Sequence, residues 1–215
     1  KLIKQNGKIN WYPEHLKQGR FKNGLENAPD WNISRNRYWA TPLPFWKAED
    51  GEIICVGSKE ELEKLSCKTI DDLHKHIVDE IIIEKDGKTF RRIPEVLDCW
   101  FESASMPFAE FHYPVENKEL FESRYPADFV AEYIAQTRAW FYVMHVLGVV
   151  LLNKPPFKNV VTTGTILAED GSKMSKSKNN IPDPWEIINK YGADALRYYL
   201  MTSVVMQADN INFSE

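Results

Sequence analysis

The run from Ala139 to Leu152 is apolar apart from His145, and a strand-like segment stands on either side of it. It is too short to cross a bilayer, which takes about 20 residues, so it reads as a buried helix. Asp128 to Tyr133 forms a short apolar strand before it, and polar residues lead into a helix spanning Gln136 to Leu152. Phe157 to Thr163, rich in β-branched residues, forms a strand after it, ending at Gly164 and a loop of lysines and serines. Strand, buried helix, strand and polar loop is the grammar of a parallel, doubly wound α/β sheet. Ligands of such sheets sit at the carboxyl ends of the strands, where Glu132 and Gly164 fall. A carboxylate closing a strand is costly unless it meets solvent or a ligand.

The rest of the chain is built from smaller pieces. Lys1 to Trp11 reads as a hairpin turning at Asn6-Gly7, the strongest two-residue turn signal. His15 to Asn27 reads as a helix stopped by Pro29, and Trp31 to Trp46 as an extended segment, because Pro42 and Pro44 forbid a helix. From Lys47 to Ile93 the elements become short and charged. Ile53 to Val56 is strand-like, Ser58 caps a helix from Lys59 to Leu65, and Ile81 to Arg92 forms a hairpin at Asp86-Gly87. Trp185 to Tyr191 and Ala193 to Met201 are two helices parted by Gly192. The divisions expected are a lead-in segment at 1–46, a small insertion at 47–93, an α/β half-fold carrying the lysine loop at 94–180 and a helical region from 181 to 215.

With 215 residues, 43% hydrophobic and 13% aromatic, the chain can bury one good-sized core with an appendage. A net charge of −4 gives no global basic footprint, which argues against a main nucleic-acid-gripping surface but leaves room for a local patch. Cys55, Cys67 and Cys99 form no CxxC pair and fit a reducing cytoplasm. The chain opens on Lys1 with no signal peptide, the look of a segment excised from a cytoplasmic protein with no membrane association.

The most particular stretch runs from Leu167 to Asn180 and contains Lys173-Met174-Ser175-Lys176-Ser177. Such a loop can lay ammonium groups and hydroxyls along a polyphosphate. Composition alone would make it a solvated surface loop. The literal string resembles the KMSKS signature of class I aminoacyl-tRNA synthetases, a Rossmann-like family. Further strings resemble the isoleucyl branch: Trp31 to Trp39, Thr41-Pro42-Leu43-Pro44, Asp98 to Ser103, Ser105-Met106-Pro107, Pro126 to Phe129, Gln136-Thr137-Arg138, Trp140-Phe141-Tyr142 and Gly192 to Arg197. They run nearly the full length in the family's order.

The resemblance implies roles for particular residues. Lys173 and Lys176 would be catalytic, neutralising the ATP phosphates as the adenylate forms. Ser175, Ser177 and Gly164 would join Lys176 in holding ATP, while Met174 anchors the loop. Glu132 and Gln136 would contact the aminoacyl-adenylate, although Gln136 would equally serve as a polar group at a helix N-terminus. Trp100 and Trp140 would wall the isoleucine pocket, where core packing is the ordinary alternative for a tryptophan. The implied substrates and partners are ATP with Mg2+, L-isoleucine and tRNA(Ile). The rivals are another branched-chain synthetase, such as the valyl enzyme, and a non-catalytic paralogue that binds nucleotide or RNA.

None of His15, His74, His76, His112 and His145 stands in the family's His-x-Gly-His signature. The resemblance therefore implies the second half of a split catalytic domain, inactive alone, whose first half, editing domain and anticodon-binding domain lie elsewhere in the polypeptide. Tyr133, Ala135 and Ala139 stand where the family usually has glycine, aspartate and glycine, and Ala40 and Ala104 also replace common glycines. Relatives that hold zinc do so with CxxC pairs. Here those places read Ala48-Glu49-Asp50-Gly51 and Lys85-Asp86-Gly87, so no zinc or other resident metal is expected.

Overall fold

A computed structural model describes residues 1–214, which form two compact units. One joins Lys1–Pro29 to the chain from Ala104 onward; the other is Asp30–Ser103.

The larger unit is built on a three-stranded sheet in which Phe157–Thr163 lies between Asn10–Tyr12 and Ala127–Tyr133, all parallel. Glu132 lies opposite Thr162 and Tyr133 opposite Thr163, so the two long strands end level. The architecture is thus the expected mixed α/β one with a parallel sheet. Helix Trp140–Leu152 buries Phe141, Val143, Met144, Leu147 and Val149. The Phe141 ring meets Trp11 and Phe157 edge-on at 6.2 and 6.0 Å, and Trp11 packs on Phe21 at 4.6 Å. Each such side chain contributes about 1.5–3 kcal/mol of hydrophobic stabilisation. His145, fully buried on the same helix, lies 5.5 Å from the Phe21 ring, and its Nε2 is 2.9 Å from the Leu2 carbonyl. Burial lowers its pKa, so the neutral ring donates to that carbonyl. Asn159 ties all three strands together, accepting from Asn10 at 3.0 Å and donating to the Asp128 carbonyl at 2.7 Å.

Two local expectations are corrected. Lys1 to Trp11 is not a hairpin: Leu2–Asn6 is a helical turn, and Asn10–Tyr12 pairs parallel with the central strand. Gly7 has φ −54°, so Asn6-Gly7 does not make a turn that needs positive φ. The Asn6 side chain is instead engaged in tertiary structure, accepting from Trp11 Nε1 at 2.9 Å and donating to the Lys17 carbonyl at 3.1 Å. The apolar helix starts at Trp140 rather than Gln136, after a separate 3-10 turn over Ile134–Arg138 and a break at Ala139.

The smaller unit carries a four-stranded antiparallel sheet in the order Ile53–Cys55, Phe45–Lys47, Lys88–Arg92, Ile82–Lys85. Trp46, Leu62, Val78, Ile83 and Phe90 form its core, and Trp46 Nε1 donates to the Ile81 carbonyl at 2.9 Å. The hairpin turns at Asp86 and Gly87, both at positive φ, as a primed turn requires. Ser58 caps helix Lys59–Ser66, accepting from the Glu61 amide at 3.1 Å. Arg92, with its side chain buried, is ion-paired to Asp79. No helix among the described residues is long and apolar enough to cross a membrane.

Candidate active site

The two long parallel strands deliver their carboxyl ends side by side. On the edge strand Glu132 is exposed, and among the described residues its Oε1 accepts only from the next amide, that of Tyr133, at 2.9 Å. Its carboxylate is thereby held at the sheet end and left open to solvent. Beyond it, the 3-10 turn is locked by Thr137, whose buried hydroxyl donates to the Ile134 carbonyl at 2.7 Å and accepts from Arg20 Nε at 2.9 Å. Gln136 Oε1 accepts from the Trp140 amide at 3.0 Å and so caps the long helix. Sequence reasoning raised this role as the alternative to a ligand contact, and it leaves the Gln136 amide nitrogen facing away from its own cap bond. Trp140 is half-buried, its ring 6.3 Å from that of Phe141.

The central strand ends at Thr163 and runs into Gly164, whose amide donates to the Val205 carbonyl at 2.7 Å. A Cβ at this position would fall 1.7 Å from the Asp209 carbonyl oxygen, so only glycine fits. Gly164 thus has a packing reason to be glycine. The chain then pairs Ile166–Leu167 in parallel with Ile211–Asn212 and enters the lysine loop.

That loop is a closed structure. Leu167 bridges to Lys173, the Ala168 amide donates to the Ser172 carbonyl at 2.9 Å, and Gly171 takes φ +77° at the tip. Hydrogen bonds from the Ser172 hydroxyl and amide, and more weakly the charge of Lys178, hold the Asp170 carboxyl below its usual range. Lys176–Lys178 forms one 3-10 turn, Asn179 takes the left-handed conformation, and Asp183 caps helix Pro184–Tyr191. The Ser175 and Ser177 hydroxyls are 2.7 Å apart and hydrogen-bonded to each other. Met174 and Asn180 are half-buried and line an open 580 Å³ cavity with Ala168, Ile181, Ile187 and Phe213. Lys173 and Lys176 are exposed and form no ion pair among the described residues. Two ammonium groups on a braced turn, with hydroxyls beside them, can neutralise a polyphosphate.

Trp100 belongs to the smaller unit, at the start of helix Cys99–Ala109, and is 40% exposed. Asp98 opens that helix, its carbonyl accepting from the Phe101 amide at 2.9 Å. Its buried carboxylate accepts from Trp31 Nε1 at 2.9 Å and is ion-paired with Arg35 at 3.0 Å. The same unit holds a 690 Å³ cavity lined in part by Arg37, Trp39, His74 and Glu102, with Trp39 stacked on His74 at 5.5 Å. Sequence reasoning missed the Asp98 hub, the Arg20–Thr137 contact and the Asn180 bonds described below. Among the described residues no three His, Cys, Asp or Glu side chains gather as a metal site.

A parallel α/β sheet with its polar loop beyond the central strand is the arrangement of a Rossmann-like fold. The chain belongs to the class I tRNA synthetases (I, L, M and V), whose family model matches residues 1–212. It is 56% identical to the isoleucine–tRNA ligases of Chlamydia abortus, Protochlamydia amoebophila and Chlamydia trachomatis serovar D. Each of these matches spans the whole chain and 21% of the relative, so the chain covers about a fifth of their length. It also resembles LeuRS of Agrobacterium radiobacter K84 agnB2, solved in a ternary complex with tRNA and LeuAMS, with a TM-score of 0.60 and 21% identity. That likeness covers 93% of this chain and 29% of the other, and it shows the fold.

Proposed function

We propose that this chain carries part of the adenylate-forming site of an isoleucine–tRNA ligase, the observation carrying this being 56% identity along its whole length to such ligases. ATP enters as its magnesium complex, a substrate rather than a resident cofactor. A carboxylate oxygen of L-isoleucine attacks the α-phosphorus; the new P–O bond makes isoleucyl-adenylate, and the bond to the β-phosphate breaks to release pyrophosphate. Negative charge grows on the departing pyrophosphate, so positioned cations do most of the work. Lys176, aided by Lys173, supplies them, and the lysine loop is read as the KMSKS signature. Ser175 and Ser177 shape the loop and offer hydroxyls, and Gly164 lets the backbone pass close to its neighbour.

Glu132, open at the strand end, accepts hydrogen bonds from the ammonium or a hydroxyl of the adenylate. Gln136 acts through the amide nitrogen that its cap bond leaves over. Trp140 is assigned to the isoleucine side-chain pocket. Transfer to tRNA(Ile) completes the reaction, with the family's other catalytic half, editing and anticodon-binding domains as partners in a cytoplasmic enzyme.

Amino-acid-dependent ATP–pyrophosphate exchange by the whole protein tests this reading. Exchange should favour isoleucine over valine and fall by about 100- to 1,000-fold in Lys176→Ala, the usual cost of removing one preorganised transition-state contact. Preference for valine would replace the substrate. A folded protein that binds ATP without exchange would overturn the catalytic reading in favour of the non-catalytic paralogue, which the changes at Tyr133, Ala135 and Ala139 would then explain.

A further inference from the structure

The side chain of Asn180 makes three bonds to the lysine loop, none of which the motif itself supplies. Its Oδ1 accepts from the Ser175 amide at 2.8 Å. Its Nδ2 donates to the Ser172 hydroxyl at 3.0 Å and to the Lys173 carbonyl at 3.3 Å. These contacts fall on both sides of Met174, so one amide spans the segment that aims Lys173 and Lys176. The loop's own backbone closes a turn on either side of this segment, the first ending in the Leu167–Lys173 bridge. Ala168, Gly171 and Ser172 close the first turn, and the Lys178 and Asn179 amides bond back to Ser175 and Lys176. Beyond the Leu167–Lys173 bridge, the Lys173 carbonyl and the Ser175 amide are both bonded by Asn180. Asn179 next to it takes φ +51°, a left-handed turn that asparagine tolerates and that brings position 180 back towards the loop.

We infer that Asn180 is a positioning residue for adenylate formation, clamping the lysine loop in the conformation that presents Lys173 and Lys176 to the phosphates. The inference rests on the proposed function for its catalytic consequence, but the clamp itself is a property of the loop. An amide suits this task because it is at once acceptor and two-fold donor without charge. A carboxylate here would keep the Ser175 bond, lose both donors and compete with ATP for the lysines. Without the clamp the lysines remain present but are no longer pre-aimed, and displacements of about 1 Å cost about 100-fold in rate.

The test uses the whole protein with Asn180→Ala, Lys176→Ala and the double variant, and has two arms. In the first, hydrogen–deuterium exchange of the peptide covering Leu167 to Asn180 is compared with that of the core strand Phe157–Thr163. Asn180→Ala should speed exchange in the loop alone; unchanged loop exchange would overturn the clamp, whether or not the protein is active. In the second, isoleucine-dependent pyrophosphate exchange should lose about 100-fold in kcat with the isoleucine KM unchanged. The loss should largely vanish when Asn180→Ala is added to Lys176→Ala, because residues acting through one another are not additive. A full, multiplicative loss in the double variant, or none in the single one, would overturn the positioning role. An inactive wild type with the expected loop exchange would sink the proposed function and leave the clamp standing.

Discussion

The smaller unit closes its core with its own residues, whereas the larger one leaves part of its sheet open where the candidate chemistry stands. In the antiparallel sheet, Ile83 and Phe90 are essentially inaccessible and Trp46 is capped by a backbone carbonyl. In the parallel sheet, the central strand buries Phe157, Val160 and Thr162, but in Ala127–Tyr133 only Val130 is even half-buried. Phe129 is 66% exposed. Cores reward tight packing, while a strand end that must meet a ligand has to stay accessible. Burial in the parallel sheet is thus concentrated on the central strand, and the edge strand adds little to the core.

Substitutions along these strands should expose the contrast. Phe90→Ala is expected to cost about 3–5 kcal/mol in urea unfolding, whereas Phe129→Ala should cost less than about 0.5 kcal/mol. Equal costs would erase the distinction. Gly148→Ala tests the closed side of the larger unit, because a Cβ there would come 2.3 Å from the Tyr125 hydroxyl and 3.1 Å from the Lys154 carbonyl. Overpacking of this kind should cost about 1–3 kcal/mol.

His145 gives the larger unit a pH signature. Its pKa is lowered in the fold, so its contribution is complete above the unfolded value of about 6.5 and is lost as pH falls through the folded value. The melting temperature should therefore drop between about pH 7 and pH 5, with a smaller drop in His145→Gln. Smallest is the helix cap of the smaller unit: Ser58→Ala should cost about 1 kcal/mol, read by the same urea titration.

What could be read from the chain follows the same division. The central strand, the long apolar helix, the Ser58 cap and the Asp86-Gly87 hairpin were legible because each depends on residues close in sequence. Asn6-Gly7 misled because Asn6 binds Trp11 and Lys17 across a tertiary contact that local turn statistics do not contain. The lysine string was visible as a string. Its bracing by Asn180 was not, since that depends on a left-handed residue folding the side chain back by five to eight positions. Gln136 read as either ligand contact or cap, and the fold gives its oxygen to the Trp140 amide.

The most direct test of the central claim, that the braced lysine loop is where polyphosphate binds, is lysine footprinting of the whole protein. Acetylation read by mass spectrometry would be compared with and without ATP, magnesium and isoleucine. Lys173 and Lys176 should be protected by the substrates, while exposed Lys118, loosely paired with Glu122 at 3.9 Å, stays equally reactive. Loop lysines that react alike in both conditions, in a protein shown to bind ATP, would contradict it.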